Sequence, residues 1–211
     1  MSGEIATWVG DGLAAVGLGL SYASLNRSDA RLEQIVDDRI SRVNLFGLEV
    51  RDLVRLDDDE LLDRLAATPT LVDLLVRIYE ELRRSSVEEK RRAFARLFAS
   101  ALDDDGATID NKRLLERALE ALEVAHTRAL KVIAAGPPAR VTVEGHLIAG
   151  GTSLEVLDEQ LPAAAGSHRA IAATLEGLGL VDDVALGTTN YFARWSITSF
   201  GEELIAYLVD P

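Results

Sequence analysis

The residue types that most often perform chemistry in proteins are few in this sequence, and they are not grouped. The chain has no cysteine, which removes disulfides, thiolate metal ligands and cysteine nucleophiles together. Its only histidines are His126, His146 and His168. None of them has a second histidine four residues away, the spacing that places two imidazoles on one helix face for zinc. We therefore expect no metal site and no cofactor.

Acidic residues cluster in two places, but neither cluster has the spacing of a cation site. An EF-hand takes its calcium ligands at fixed positions on either side of a glycine. When Gly106 is aligned with that glycine, Ala101 falls on the first ligand position, so a charged turn is expected instead. Asp57 and Glu60 stand where carboxylates complement the positive end of a helix. The sequence also lacks a P-loop, a Rossmann glycine pattern and a nucleophile elbow, and we expect no enzymatic activity.

The overall charge limits the choice of partner. Of 211 residues, 35 are acidic and 22 are basic, which gives a formal net charge of −13. A surface of this charge repels phosphate backbones unless a local basic patch reverses the field. Apolar residues make up 48% of the chain and aromatic residues only 5%, which is typical of helices packed through aliphatic side chains. The composition predicts a folded, mainly helical protein that disfavours nucleic acid.

Positive charge is concentrated in one stretch, the basic cluster. Its members are Arg83, Arg84, Lys90, Arg91, Arg92 and Arg96. On a helical wheel, Lys90 and the two arginines that follow it lie away from Phe94 and Phe98, which favours a solvated helix face. The alternative is that the basic cluster binds an acidic surface, which could be nucleic acid, an anionic membrane or the acidic C-terminal part of this chain. Phe94 and Phe98 are expected in the core.

The N-terminal segment, residues 5–25, is the only stretch long and apolar enough to raise the question of a membrane. Small residues recur in it at four-residue spacing, namely Gly10 and Ala14, then Ala15 and Gly19. This spacing lets a second helix approach closely, in a protein interface or in lipid. The segment contains Asp11 and is preceded by no basic residue. We therefore favour a helix at a subunit contact and a cytoplasmic protein, with membrane contact as the alternative.

Residues 28–136 contain the start and stop signals of short helices, as in a helical bundle. Ser28 can cap the first helix, and Phe46 with Gly47 indicates a break. Pro69 and Ser86 mark two further helix starts, since proline suits the first helical turn and serine suits the cap.

The last helix of this region is expected to be long, from residue 109 to residue 135. Its apolar stripe follows a seven-residue repeat through Leu115, Leu119, Leu122 and His126. A repeat of fewer than three heptads fits packing inside a bundle and a short dimer seam equally well, so both interpretations stay open.

A domain boundary is predicted where Gly136, Pro137 and Pro138 end that helix. It divides the chain into an N-terminal apolar helix at residues 1–27, a helical bundle at 28–136 and a C-terminal domain at 137–211. In the C-terminal domain the patterns predict, in order, a strand at 141–143, a helix from Thr152, a helix after Ser167, a hairpin at 181–186 and 191–197, and a final helix. The expected fold class is mainly α with a small β-hairpin.

Two motifs in this domain carry a resemblance. Leu178, Gly179 and Leu180 end one helix, and Thr198 followed three residues later by Gly201 begins the last one. With these motifs, residues 138–211 resemble the winged-helix superfamily. A helical bundle followed by such a domain is also similar to uncharacterised bacterial proteins of the Abi-alpha type, which are associated with abortive infection. The resemblance implies a winged-helix fold and a role in phage defence, and it assigns no site residue.

The residues of this domain fit DNA poorly. A recognition helix needs Arg, Lys, Asn or Gln at base edges and cations at phosphates. The candidates for such a surface are His168, Arg169 and Arg194. Across residues 137–211, three arginines face ten carboxylates. We therefore expect a self-associating protein-interaction or regulatory protein, with a DNA-binding regulator and a membrane-associated effector as alternatives.

Overall fold

The computed structural model describes residues 30–54, 56, 58–103, 106–138, 140–141, 147–185 and 192–209. This part of the chain is mainly helical with a small three-stranded antiparallel sheet, which confirms the expected mainly helical class. The chain divides into two compact units, the first ending at Arg113 and the second beginning at Leu114.

The first unit is built from helices. They are α1 (Ala30–Val54), α2 (Asp58–Ala67), α3 (Pro69–Arg84), α4 (Glu88–Ala101) and α5 (Gly106–Ala121), whose second half belongs to the second unit. The start of α3 at Pro69 is as predicted, because the amide that proline lacks has no partner in a first helical turn. The start of α4 is displaced from the prediction, since Val87 and not Ser86 occupies its cap position.

The predicted break at Phe46 and Gly47 is wrong, because α1 continues through both residues. The ring of Phe46 is 1% exposed and lies edge-on to Tyr79, with 5.7 Å between ring centroids. It also lies 6.1 Å from the ring of Phe98. Burial of an aromatic side chain stabilises by about 1.5–3 kcal/mol, which exceeds the roughly 1 kcal/mol cost of glycine inside a helix. Tertiary packing therefore overrides the local signal.

The long helix predicted for residues 109–135 is also wrong, since it is two helices. The first, α5, ends at Ala121, and α6 spans Val124–Ala135. The backbone amide of Glu123 donates to Nδ1 of His126 at 3.1 Å, and the Glu123 carboxylate accepts from the His126 amide in a capping box. The first amides of a helix have no partner inside the helix, and this cap provides partners for them. It therefore stabilises the start of α6 at a point where the heptad pattern predicts one uninterrupted helix.

The second unit combines helices with short strands. After α6 come β1 (Arg140–Val141), β2 (Leu147–Ala149), β3 (Thr152–Ser153), α7 (Leu154–Gln160), a 3-10 turn (Pro162–Ala164), α8 (His168–Gly177), β4 (Val181–Asp183), β5 (Arg194–Ile197) and α9 (Ser199–Leu208). β1 pairs with β2, and the other three strands form an antiparallel sheet in the order β3-β5-β4. The predicted boundary at residues 136–138 falls inside this unit, because α6 packs against α8 and β5.

The predicted hairpin is confirmed as the pair β4 and β5, with shorter strands than expected. Trp195 in the central strand lies opposite Thr152 of β3 and Asp183 of β4. Trp195 is 3% exposed and Ala193 is 9% exposed, so both lie on the core side, as expected of residues two apart along an extended chain.

The start of α9 explains the second motif of the resemblance. Oγ1 of Thr198 accepts from the amide of Gly201 at 2.9 Å and donates to the carbonyl of Gly179 at 2.7 Å. A Cβ atom at position 201 would overlap the carbonyl oxygen of Leu180. Threonine and glycine are thus required there because α9 begins in direct contact with the backbone that precedes β4.

Candidate interaction surfaces

Helix α8 has one buried and one exposed face. The buried side carries His168, Ile171, Ala172 and Leu175. The exposed side, called here the α8 face, carries Arg169, Ala170, Ala173, Thr174, Glu176 and Gly177. The hydroxyl of Thr174 donates to the carbonyl of Ala170 within the helix, at 3.1 Å. The α8 face is therefore formed largely by small side chains, with one guanidinium and one carboxylate.

The prediction that His168 belongs to the surface is wrong. Its side chain is buried, and its Nδ1 lies 2.6 Å from Oδ1 of Asp158 on α7. Its Nε2 is also buried and has no hydrogen-bond partner. Because the first residue of α8 turns inward to contact α7, it holds the two helices together and is not accessible to a partner.

Glu176 and Trp195 form a second link, between α8 and the sheet. Nε1 of Trp195 donates to Oε1 of Glu176 at 2.5 Å. A buried indole N–H requires an acceptor, and the carboxylate supplies one at the rim of the core. The carboxylate of the α8 face therefore has a structural role.

Arg194 is half-buried and turned toward the backbone. Its Nη1 donates to the carbonyl of Gly150 at 3.3 Å and lies 3.5 Å from that of Gly151. The pKa of the exposed Glu155 carboxyl is lowered, first by a hydrogen bond from Ser153 and to a smaller extent by Arg194. Of the three residues proposed for this surface, Arg169 alone is exposed to solvent.

In the first unit, two members of the basic cluster are buried in ion pairs. Lys90 is 3% exposed, and its Nζ donates to Oε1 of Glu81 on α3 at 2.8 Å. Arg91 is 8% exposed, with Nη1 2.6 Å from Oε2 of Glu49 on α1. Arg92 is exposed and pairs with Glu88 at 2.5 Å. The expected solvated face is thus wrong for the first two, because they neutralise carboxylates of the neighbouring helices.

The remaining cluster members are less enclosed. Arg84 is exposed, whereas Arg83 and Arg96 are half-buried. Phe94 and Phe98 lie in the core, as predicted.

The apolar stripe of the predicted long helix is interior. Leu115, Leu119 and Leu122 are each 0% exposed, so the interpretation as internal packing holds and no part of these side chains is left for a dimer seam. His126 is half-buried and serves as a cap residue. The other candidates for self-association, Gly10, Ala14, Ala15 and Gly19, lie outside the described residues.

Sequence reasoning missed Phe192, the most exposed large hydrophobic side chain of the described residues at 72%. It stands two residues before β5, on the opposite side of the chain from Ala193. Residues alternate sides along an extended chain, so the buried positions Ala193 and Trp195 leave Phe192 on the other side, and this pattern could have found it.

In the part of the chain that the structure describes, no cluster of three histidine or carboxylate side chains could hold a metal ion. No described helix combines the length and apolar character needed to cross a bilayer. Comparisons with family models, curated proteins and solved structures found nothing that matches this chain.

Proposed function

We propose that this protein is a non-enzymatic regulatory protein whose second unit is a winged-helix domain that binds another protein. The observation that carries the proposal is the chemistry of the α8 face. A helix that reads base edges presents Arg, Lys, Asn or Gln. This face instead presents Ala170, Ala173 and Gly177, with Arg169 as its one cation.

The order of elements supports the winged-helix part of the proposal. A winged helix consists of a helix-turn-helix followed by a β-hairpin, and α7, α8 and the β4–β5 hairpin follow each other in that way. The short strand β3, between α6 and α7, adds to the hairpin beside β5. In this arrangement α8 occupies the position of the recognition helix.

Electrostatics favour a protein over DNA as the partner of that helix. The exposed carboxylates on elements that pack against this helix include Glu155 and Glu159 on α7 and Asp182 on β4. DNA binding gains most of its affinity from cations that neutralise phosphates, and carboxylates repel them. The small side chains Ala170, Ala173 and Gly177, by contrast, let a partner approach closely with no charge to be buried at those positions.

DNA binding is the second candidate function, because Arg169 is exposed in the first turn of α8, the part of a recognition helix that meets base edges. Selection from a random duplex library at physiological salt, with wild-type protein and Arg169→Ala, tests it. We expect weak, salt-sensitive binding that the substitution does not change. Selective binding that depends on Arg169 would replace protein binding by DNA binding as the function.

Self-association is part of the proposal and depends on residues 5–25. Replacement of Ala15 and Gly19 by leucine is expected to block close helix approach and to lower the mass measured by sedimentation equilibrium. An unchanged mass would remove this contact from the proposal. Partition of the wild-type protein into detergent would instead favour the membrane-associated alternative. The role in phage defence stays a prediction from the resemblance.

A further inference from the structure

Phe192 begins a row of side chains on the outer side of the three-stranded sheet. Trp195 points to the core, so the alternation of an extended chain places Arg194 and Ser196 on the outer side, and Phe192 continues the same row. Asp182 lies opposite Ser196 in the register and is exposed. We call Phe192, Arg194, Ser196 and Asp182 the outer wing surface.

This surface carries one large apolar side chain, and its one cationic side chain is already engaged by the backbone. The guanidinium of Arg194 is directed at the Gly150 and Gly151 carbonyls, and its charge acts on the Glu155 carboxylate beside it. Asp182 has no such neighbour in the register. A partner that covers Phe192 therefore meets a surface on which Arg194 is directed at backbone carbonyls and the Asp182 carboxylate is exposed.

The surrounding exposed charges have the same sign. Between residues 136 and 209, the exposed ionisable side chains of the described part are Glu155, Asp158, Glu159, Glu176, Asp182 and Glu202 against Arg169. Such a field raises the encounter rate with cationic partners and lowers it with nucleic acid or anionic lipid. Charge thus selects the occupant of the surface.

We propose that the outer wing surface is a docking site for a lysine- or arginine-rich segment of a partner protein, which covers Phe192 with an apolar side chain. The inference rests on the proposed function and adds a second contact surface beside the α8 face, with a stated partner chemistry. An aromatic side chain that becomes buried at the centre of an interface is the usual anchor of such a complex, and the flanking charges fix the orientation of the bound segment.

A displayed library of random 15-residue peptides, selected on the full-length protein, tests the proposal. The protein variants are Phe192→Ser, the double variant Glu155→Gln with Asp182→Asn, and Val209→Ser as the matched control. Val209 is another exposed apolar side chain, at 48%, beyond the last helix. Circular dichroism of each variant confirms that the fold is retained, which is expected because these side chains are exposed.

The expected result is enrichment of basic sequences that contain an apolar residue. Phe192→Ser should weaken the affinity of an enriched peptide at least tenfold, and Val209→Ser should leave it unchanged. The double carboxylate variant should weaken binding and reduce its dependence on salt, because two attractive charges are removed.

Three results would overturn the docking site. The first is that the wild type enriches no peptides relative to Phe192→Ser, and the second is that it enriches acidic peptides. The third is that the Phe192 and Val209 variants lose peptide affinity equally. Enriched peptides could bind Phe192→Ser as tightly as the wild type and lose binding to Ala173→Glu. In that case the α8 face is the binding site, so this inference fails and the proposed function survives. If the protein selects duplex DNA instead of peptides, both fail.

Discussion

The indole nitrogen of Trp195 donates to the Glu176 carboxylate at 2.5 Å and so joins the central strand of the sheet to the end of α8. From the sequence alone, the Glu176 carboxylate is expected to repel the phosphates of any DNA that this helix would bind. In the structure its carboxylate is the acceptor for a largely buried indole, whose residue is 3% exposed. The link fixes the orientation of α8 relative to the hairpin, and thus of the α8 face relative to the outer wing surface.

Replacement of Glu176 by alanine is therefore expected to destabilise the protein although the residue is exposed. The substitution leaves the Trp195 N–H without its acceptor, which costs about 1–3 kcal/mol. Urea unfolding followed by tryptophan fluorescence measures the change. The control is Glu159→Ala on α7, an exposed carboxylate whose loss should stay within about 0.5 kcal/mol. Equal effects of the two substitutions would mean that the indole contact contributes nothing.

A second prediction concerns the buried pair of Lys90 and Glu81. Removal of one charge leaves the other uncompensated in the core, so Lys90→Met is expected to cost about 3–5 kcal/mol. The double variant Lys90→Met with Glu81→Leu should recover most of that loss, because burial of two apolar side chains replaces burial of two charges. Chemical denaturation of both variants and of the wild type provides the comparison.

Arg92→Met is the matched control for this pair. Arg92 is on the same helix and is itself exposed, and its nearest carboxylate, that of Glu88, is exposed too, so its loss should cost no more than about 1 kcal/mol. If Lys90→Met were as mild as this control, the pair would contribute no more than a surface contact. If the double variant were no more stable than Lys90→Met, something other than the uncompensated charge would be responsible.

These two cases indicate how far the sequence predicts this protein. Periodicity predicted the helical class and the hairpin, because alternation and capping are local properties. The basic cluster was misjudged because a helical wheel places Lys90 relative to its own helix only. Whether a charge at that position is solvated depends on a carboxylate from α3, which a wheel of α4 does not contain.

The same limit applies to the candidate site. His168 and Arg194 were expected on a surface because their side chains are polar. In the structure, His168 contacts Asp158 on another helix, and Arg194 donates to the backbone carbonyl of Gly150, which is distant in sequence. The break between α5 and α6 depends on the cap of Glu123 and His126, a pairing that the capping rules do not include, since they assign serine or threonine and glutamate to those positions.

Ionisation of Tyr79 gives a prediction for high pH. Burial raises the pKa of Tyr79 to about 12, from an ordinary value near 10. The folded state therefore favours the neutral phenol. The stability from this group is fully present below pH 10 and is lost as the pH rises toward 12. Absorbance of tyrosinate at 295 nm should show one tyrosine that ionises late, and this late component should be absent from Tyr79→Phe.

The variant also separates this cause of alkaline unfolding from others. Because phenylalanine cannot ionise, Tyr79→Phe is expected to lose less stability between pH 10 and 12 than the wild type. An identical loss in both proteins, measured by chemical denaturation at each pH, would show that Tyr79 is not the group responsible.

The last prediction compares two glycines. At Gly201 an added Cβ would overlap the Leu180 carbonyl oxygen and approach the Ile197 side chain to 2.8 Å, so Gly201→Ala forces α9 away from the sheet. Strain of this kind costs about 1–3 kcal/mol. A Cβ at Gly177, in α8, would meet nothing within 4 Å. Gly177→Ala should therefore stabilise the protein by about 0.5–1 kcal/mol, because alanine loses less backbone entropy in a helix. Opposite shifts in melting temperature are expected, and a Gly201→Ala variant as stable as the wild type would mean that α9 does not begin against the Leu180 backbone.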